Sequence, residues 1–357
     1  MPDHDIIVMG ASAGGVESLS EVARELPADL DAAVLVVMHM PAVGTSVLPA
    51  ILSRVGPLRA AHAVDGQPIE RNRIAIAPPG AHMLVKRGHI KLVAGPRENG
   101  MRPAIDPLFR SAAAAYGPRV MGVVLSGALD DGSQGLGRIR ERGGTAVVLD
   151  PDDALFDGMA RAAIASVPVD HVVGLAKMGS VLARLAAEPR PRSGEEPVVD
   201  DDQELDIVEV EAPIAQTDLA GEPSGFTCPE CSGVLWEVRD GQLVRYRCRV
   251  GHAYSPAGLL SAQSDSLEAA IWAGIRSLEE SGSLQGRLAG RARELGQAIT
   301  ATRFERQARA SRERATILRA ALTGQVLVPA GAGLPADPAT GKRSEEAEAR
   351  EQQDTGS

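Results

Sequence analysis

Aromatic residues and cysteines are scarce in this sequence of 357 residues: aromatics make up 3% of it, and there are three cysteines. With so few rings, a core has to be built from Ala, Val, Leu and Ile, and the hydrophobic fraction of 44% is ample for that. The cysteines are odd in number and lie in one short segment, which is unlike the even disulfide framework of a small secreted protein. At roughly 100–200 residues per domain, the length indicates two or more structural units.

Long hydrophobic runs and basic clusters are missing as well. No apolar run approaches about 18 residues, so the sequence predicts no transmembrane helix and no direct membrane insertion. The opening MPDHDIIVMG carries acids where a signal peptide has basic residues, and we therefore expect a cytoplasmic protein. No concentrated basic face is evident, so a nucleic-acid partner is not expected.

Negative charge is confined to one segment. The formal net charge is −10, yet residues 193–225 alone contain 11 acids and no Lys or Arg, which leaves the rest of the chain close to neutral. This stretch is also rich in Pro and Gly and has little periodic apolar pattern. Such a composition predicts a disordered, self-repelling linker over residues 188–225.

Before that linker, short β-rich runs alternate with helical stretches, and two runs, IIVMG and AAVLVVMHM, are continuously apolar. Strand–helix alternation predicts an α/β fold with a doubly wound, mostly parallel sheet. Residues 73–79 and 89–95, on either side of HMLVKRG, look like antiparallel strands. The predicted domains are a catalytic domain (1–187), the linker (188–225), a cysteine-bearing unit (226–262), a helical module (263–325) and a disordered tail (326–357).

The first strand ends in GASAG, residues 10–14, which fits the pattern G-x-S-x-G around Ser12. Small neighbours permit a sharp strand-to-helix turn that exposes a nucleophilic hydroxyl, and the free N–H groups of the following helix suit an oxyanion. The pattern alone is equally typical of a glycine-rich turn that packs helix on strand or holds a phosphate. It is not G-x-G-x-x-G, which disfavours a dinucleotide site.

Partners for such a serine occur after two other predicted strands. His39 follows AVLVVM and is a candidate base, although a core histidine bonded to the backbone is the alternative. Asp130 and Asp131 follow the strand that ends in LSG, and spacing alone does not choose between them. Either could instead cap the next helix. Because the carboxyl ends of parallel strands share one edge of a sheet, these groups are predicted to meet there.

Six motifs in order, GASAGG, VVMHMP, IAPPGAHM, MRPAIDPLF, VVLSGALDDGSQG and LFDGM, resemble the catalytic domain of the CheB chemotaxis protein-glutamate methylesterases over about residues 3–187. The resemblance implies Ser12 as nucleophile, His39 as base and Asp131 as the triad aspartate. It also implies an oxyanion site at the backbone N–H groups of Ala13 and Gly14, with no cofactor for catalysis.

The reaction that the resemblance implies is hydrolysis of glutamyl methyl esters on methyl-accepting chemoreceptors, with deamidation of receptor glutamines as a second activity. Two departures stand out. Ala128 replaces the methionine usual in the family, near the presumed active-site wall. The resembling segment also begins at residue 3, so the phosphoacceptor receiver domain that usually precedes it is expected to be absent, together with phosphorylation control in cis.

The cysteines form a separate pattern, C-x₂-C-x₁₆-C-x₃-H, made by Cys228, Cys231, Cys248 and His252. This spacing suits a tetrahedral Cys₃His zinc site, and four protein ligands leave no open position, so the zinc is predicted to be structural. Buried or redox cysteines are the alternative. The residues between the pairs read as a hairpin with a turn at Asp240-Gly241. The unit resembles the zinc-ribbon-like extension of some stand-alone CheB-type proteins.

The sequence therefore predicts a serine hydrolase, a receptor glutamate methylesterase with possible glutaminase activity. A signalling scaffold with a degenerate esterase domain, acting through its C-terminal units, is the main alternative. A small-molecule esterase is a second one, and it predicts hydrolysis of short acyl esters without any receptor. The helices at 263–325 are interpreted as an interaction or oligomerisation module, or as helices that pack on the cysteine unit.

Overall fold

The computed structural model describes residues 5–188, 221–240 and 243–323. Most of the predicted linker (189–220), Gly241 of the predicted turn and the predicted tail (326–357) lie outside the described residues. The chain divides into two compact units, Met1–Ser266 and Leu267–Ser357. In the described ranges, no helix is both long and apolar enough to cross a bilayer.

The first unit begins with nine strands, of which seven form one sheet in the order β3-β4-β2-β1-β7-β8-β9. Every pairing in that sheet is parallel. The predicted doubly wound sheet is thus confirmed. The strands are β1 (Ile6–Ala11), β2 (Ala33–Met38), β3 (Arg59–His62), β4 (Arg73–Ile76), β5 (His82–Lys86), β6 (His89–Val93), β7 (Val120–Val124), β8 (Thr145–Leu149) and β9 (His171–Val173).

The antiparallel interpretation of residues 73–79 is wrong. Strand β4 is parallel and lies between β2 and β3, with its apolar side chains Ile74 and Ile76 buried in the main sheet. The antiparallel partner of β6 is instead β5, in a separate two-stranded sheet. A two-residue turn joins these strands, and its Gly88 has a φ of +83°, a conformation that other residues rarely adopt.

Helices cover both faces of the main sheet, because successive side chains of its buried strands point to opposite sides. Along β1, Ile7 and Met9 enter one core, which is closed by α1, α2 and α6, while Ile6 and Val8 enter the other, which is closed by α3, α4 and α5. The helices are α1 (Gly15–Glu25), α2 (Leu48–Val55), α3 (Ile105–Tyr116), α4 (Ser133–Glu141), α5 (Gly158–Ser166) and α6 (Leu175–Ala187).

A small antiparallel sheet, called the ribbon sheet here, follows in the same unit, with strand order β10-β11-β12-β13. It starts at Glu222, inside the predicted linker, because the first strand pairs with the second ahead of the cysteines. Its core contains Cys228, Leu235, Cys248 and Tyr254. The strands are β10 (Glu222–Thr227), β11 (Val234–Asp240), β12 (Leu243–Cys248) and β13 (Ala253–Tyr254).

Two long helices complete the described chain, α7 (Pro256–Glu294) and α8 (Ala298–Thr323). Helix α7 begins seven residues before the predicted module, since the Ser255 hydroxyl accepts a hydrogen bond from the Gly258 N–H at 2.9 Å and caps the first turn. It ends at Glu294, two residues before Gly296 (φ +71°), and the Gln297 N–H bonds back to the carbonyl of Ala292. In the second unit, Ala301, Ala308 and Ala315 form a buried small-residue face on α8.

Candidate active site

The carboxyl ends of β2, β1 and β7 bring three predicted residues together. Ser12 directly follows β1 and His39 directly follows β2, while Asp131 lies in the loop after β7. Because β1 pairs with both neighbours, the three strand ends are adjacent at one edge of the sheet. His39 Nδ1 lies 3.2 Å from Ser12 Oγ, and His39 Nε2 lies 2.6 Å from Asp131 Oδ2.

This series of contacts defines a path for one proton. When Asp131 accepts the Nε2–H, Nδ1 keeps its lone pair and can accept the proton of the Ser12 hydroxyl. The ring and the carboxylate are well shielded, with side chains only 7% and 3% exposed. Such shielding strengthens the electrostatic interaction between them.

Asp131 is held by several donors besides the histidine. Its Oδ2 accepts the Ile105 N–H at 2.8 Å, so the N-terminus of α3 faces the carboxylate. Its Oδ1 accepts the Gly132 N–H at 3.0 Å. Burial raises the pKa of Asp131, but the hydrogen bond and charge of His39 outweigh it and leave the pKa below its usual value. The group therefore stays ionised.

The structure separates the two aspartates that spacing could not. Only Asp131 contacts His39, whereas Asp130 Oδ1 accepts a hydrogen bond from the Ser255 hydroxyl at 2.6 Å. Neither carboxylate caps α4. The residue before that helix is Gly132, with a φ of +93°, and the first-turn N–H of Gly135 bonds instead to Asp106 Oδ1 at 2.7 Å.

The turn that carries Ser12 depends on close backbone contacts. The Ser12 N–H donates to the Ser126 carbonyl at 2.9 Å, and the Gly15 N–H donates to the Ser12 carbonyl at 2.8 Å. Gly14 has a φ of +70°, and a Cβ there would lie 2.7 Å from Ser126 Oγ. In the described part of the chain, the Ala13 and Gly14 N–H groups donate to no carbonyl, and they lie at the start of α1, where an oxyanion would be stabilised.

Ser126 is a structural residue that the sequence reasoning missed. Its hydroxyl donates to the Ala13 carbonyl at 2.9 Å and accepts the Phe156 N–H at 3.0 Å, so it connects the turn that carries Ser12 to the loop before α5. The position of Ser126, immediately after an apolar strand and before a glycine, was the only signal for it in the sequence.

An open pocket of about 450 Å³ gives access to the serine and the histidine. Two arginines, Arg97 and Arg102, belong to its wall and make it electropositive on one side. Ala128, the expected wall position, is not among the residues that line this pocket. The lining is formed by Ser12, His39, Met40, Pro41, Ala42, Arg97, Gly100, Met101 and Arg102.

A second buried carboxyl, Asp106, lies behind the site. Its Oδ1 accepts N–H groups from Gly132 at 3.1 Å and Gly135 at 2.7 Å. Burial and the neighbouring charge of Asp131 raise the pKa of Asp106 well above its usual value. Asp106 therefore keeps its proton to higher pH than Asp131 does, and the sequence analysis did not predict this role for it.

The four predicted metal ligands converge in the ribbon sheet. The potential ligand atoms of Cys228, Cys231, Cys248 and His252 all lie within 4.8 Å of one another. Cys231 Sγ is 3.5 Å from Cys248 Sγ, and His252 Nδ1 is 3.5 Å from Cys248 Sγ. Tetrahedral zinc with Zn–S bonds of about 2.3 Å brings sulfurs about 3.8 Å apart, so these residues fit such an ion. All three cysteines are free thiols.

Glu230 is not one of the four potential ligands, but it contacts the histidine of the cluster. Its Oε2 lies 3.3 Å from His252 Nε2, so the imidazole can donate there while Nδ1 faces the sulfurs. Carboxylate support of this kind fixes the tautomer of a metal-binding histidine. The sequence analysis missed Glu230 although it stands between the first two cysteines, in CPEC.

Comparison with known proteins is consistent with this geometry. Residues 7–182 match the CheB methylesterase family. A putative protein-glutamate methylesterase/protein-glutamine glutaminase of Leptospira interrogans is 34% identical over 184 residues, which are 51% of this chain and 95% of the relative. A protein-glutamate methylesterase/protein-glutamine glutaminase of Nocardioides sp. is 38% identical over 53% of this chain, but the match spans only 52% of that relative. The crystal structure of the Thermotoga maritima CheB methylesterase catalytic domain is 30% identical, covers 51% of this chain and 98% of its own, and has a TM-score of 0.50.

Proposed function

The chain belongs to the CheB methylesterase family, and from that premise we propose that it is a serine hydrolase that demethylates glutamyl methyl esters of chemoreceptors. Ser12 is the nucleophile, His39 the general base and Asp131 the residue that orients the imidazole. The observation that carries this proposal is the hydrogen-bonded series from Ser12 through His39 to Asp131 at the mouth of an open pocket.

In the first half of the reaction, Ser12 Oγ attacks the ester carbonyl while its proton passes to His39 Nδ1. The negative charge on the former carbonyl oxygen is stabilised by the N–H groups of Ala13 and Gly14 at the start of α1. When the tetrahedral intermediate collapses, the C–O bond to the methoxy group breaks, and the proton on Nδ1 goes to the leaving methanol. Asp131 stabilises the transient imidazolium throughout.

In the second half, water attacks the acyl-enzyme, His39 accepts a proton from it, and Ser12 leaves with that proton. The products are a glutamate carboxylate and the free enzyme. The same steps acting on a glutamine side chain release ammonia in place of methanol, which accounts for a protein-glutamine glutaminase activity without any further residue or a cofactor.

The proposal extends to the substrate proteins, the location of the enzyme, the domain boundaries and the metal cluster. The substrate proteins are methyl-accepting chemoreceptors or similar signalling proteins, and the enzyme works in the cytoplasm. The catalytic domain comprises residues 1–187, and the ribbon sheet with its Cys₃His cluster is a zinc-ribbon-like extension within the same compact unit. The S···S and S···N distances support a structural zinc, which would fix the hairpin ends that carry the ligands.

The direct test is methanol release from methylated chemoreceptor membranes. The wild-type protein should release methanol, and Ser12→Ala should not. Ser264→Ala, in an exposed turn of α7, is the matched control and should equal the wild type. Equal release by wild type and Ser12→Ala would contradict the triad, and no release by either would favour the scaffold. Hydrolysis of p-nitrophenyl acetate with no activity on receptors would favour a small-molecule esterase.

A further inference from the structure

Residues 97–102, called the bridging loop here, lie between the pocket and the ribbon sheet. On one side the loop lines the pocket in front of Ser12 and His39. On the other side it pairs with the ribbon sheet: the Ala253 N–H donates to the Arg97 carbonyl at 3.2 Å, and the Asn99 N–H donates to the Ala253 carbonyl at 2.7 Å. The loop therefore connects the ribbon sheet to the pocket within one compact unit.

A fully buried ion cluster fastens this loop. The Glu98 carboxylate bonds to Arg110 of α3 at 2.8 Å and to Arg245 of β12 at 2.7 Å, and Arg247 of β12 lies 3.5 Å away. Burial raises the pKa of Glu98, but the three guanidinium groups outweigh it and hold the pKa well below its usual range. Two of the three balancing charges come from the ribbon sheet, so its docking supplies most of the positive charge around this buried carboxylate.

Asn99 continues the connection to the catalytic aspartate. Its side-chain Oδ1 accepts the Ser255 N–H at 2.8 Å, and its Nδ2 donates to Asp131 Oδ1 at 3.3 Å. One amide thus joins the start of α7 to the carboxylate that orients His39. Asn99 has a φ of +50°, so its backbone conformation is one that the surrounding contacts must maintain.

Ser255 makes a second contact beside the first, through its hydroxyl to Asp130 Oδ1 at 2.6 Å. Ser255 therefore contacts Asp130 directly and is connected to Asp131 through Asn99. These residues lie beyond the segment that matches the CheB methylesterase family, residues 7–182.

We infer that Asn99 is a positioning residue for the esterase and that the ribbon sheet and the start of α7 hold it in place. Asn99 fixes the rotation of the Asp131 carboxylate, which presents Oδ2 to His39. This inference rests on the proposed function, since it assigns a role within the same triad. It makes the C-terminal extension a part of the catalytic architecture.

Asn99→Gly tests the asparagine itself, because glycine adopts the same positive φ and removes only the side chain. We expect kcat to fall about tenfold or more, as for the loss of a hydrogen bond to a charged group. KM should stay unchanged, since Asn99 does not line the pocket. Asn72→Gly is the control, because Asn72 is exposed, also has a positive φ (+61°), and lies at the start of β4. Asn99→Asp keeps the shape of the side chain, loses the donor, and should also lower kcat.

Gly258→Ala tests the contribution from α7. A Cβ at Gly258 would lie 2.7 Å from Asn99 Oδ1 and must displace that side chain, while alanine itself favours the helix. Gly290→Ala in the same helix has nothing within 4 Å and is the matched control. We expect Gly258→Ala to reduce kcat severalfold with no loss of thermal stability, and Gly290→Ala to leave kcat at the wild-type value.

The low-field proton NMR resonance of the His39 Nε2–H bond to Asp131 gives a readout that needs no substrate. It should shift in Asn99→Gly and Gly258→Ala and stay in place in both controls. If Asn99→Gly kept the wild-type kcat and an unshifted resonance, the positioning role of Asn99 would be overturned. If Gly258→Ala did so, the contribution of α7 to holding Asn99 in place would be overturned. If the wild-type protein lacked methylesterase activity, the proposed function would fail, and the resonance would still decide this inference.

Discussion

His39 Nε2 lies 2.6 Å from Asp131 Oδ2, and it is the other ring nitrogen, Nδ1, that faces Ser12. Asp131 lies in the loop after β7 and Ser12 directly follows the neighbouring strand β1, and the two groups contact different nitrogens of the imidazole ring. A carboxylate at this place determines which nitrogen carries the proton.

Replacing Asp131 by Asn should therefore inactivate the enzyme without unfolding it. An amide donor facing Nε2 favours the wrong tautomer, and the analogous change in serine proteases lowers kcat by about 10⁴-fold. Methanol release measured under saturating receptor methyl ester checks this. Asp130→Asn is the adjacent comparison, and its loss should be far smaller because Asp130 does not touch His39. Similar losses in the two variants would contradict the assignment of Asp131.

Gly127 leaves no space for a side chain behind the nucleophile. A Cβ there would lie 2.8 Å from Ser12 Cβ and 2.0 Å from Met159 Sδ. Gly127→Ala should displace Ser12 and reduce kcat at least tenfold, with a loss of about 1–3 kcal/mol in the free energy of unfolding from overpacking. Gly274→Ala is the control, because its Cβ would meet only Leu318, at an ordinary contact distance of 3.7 Å. It should keep the wild-type kcat and the wild-type free energy of unfolding. Urea denaturation and methanol release measure the two effects.

Asp106→Asn should be tolerated, because the raised pKa of Asp106 favours its neutral form and an amide oxygen can accept the same two N–H bonds. A carboxyl whose pKa is raised on folding stabilises the fold at low pH, and that contribution is lost as pH rises through the folded value. The free energy of unfolding of Asp106→Asn should therefore improve relative to wild type as pH rises above the unfolded pKa of about 3.9. Urea denaturation over this pH range measures the difference. A wild-type free energy of unfolding that rose relative to that of Asp106→Asn would contradict the raised pKa of Asp106.

Glu98→Gln should destabilise the protein at neutral pH by about 3–5 kcal/mol, because three buried arginines lose their shared carboxylate. A carboxyl whose pKa is lowered on folding contributes stability above its unfolded pKa of about 4.3, and the contribution is lost as pH falls toward the folded value. The difference in free energy of unfolding between Glu98→Gln and the wild type should thus become smaller as the pH falls. Glu188→Gln, in a half-exposed pair with Arg184, is the control and should change stability little. A difference that grew in acid would be inconsistent with the lowered pKa.

Metal analysis of the purified full-length chain should find one zinc per molecule, and Cys248→Ser should abolish it. Glu230→Gln keeps all four ligands but removes the acceptor for His252 Nε2, so the affinity for zinc should fall about 10- to 100-fold. Competition with a chromophoric chelator measures that affinity. Full zinc content in Cys248→Ser would rule out the four-ligand site.

Local signals in the sequence predicted most of the fold and placed two of the three proposed triad residues at the ends of strands. Continuous apolar runs marked the strands that are buried on both faces, and Ser12 and His39 stand directly at the ends of two of them. The parallel pairing of β4 was not predictable locally, because short apolar runs fit either direction and the choice depends on neighbours far along the chain. Asp130 and Asp131 differ by one residue, and only the rotation of their loop decides which side chain faces the histidine.

Contacts between distant segments could not be anticipated at all. Asn99 and Ser255 are 156 residues apart, and neither belongs to a recognisable motif. Glu98 resembles any surface acid in the sequence, and its burial becomes intelligible only once β12 brings two arginines to it. Ser126 and Glu230 act through backbone and imidazole contacts that a residue pattern does not encode.

The late position of Ser255 in the chain also orders events during synthesis. The ribosome completes β9, the last strand of the parallel sheet, well before it reaches Ser255. At about 5–20 residues per second the interval lasts roughly 4–16 s. A nascent chain therefore passes through a period in which Ser12, His39 and Asp131 have been made while Asn99 still lacks its anchor. With the positioning role inferred for Asn99, translation should separate the synthesis of the proposed triad residues from the onset of full activity.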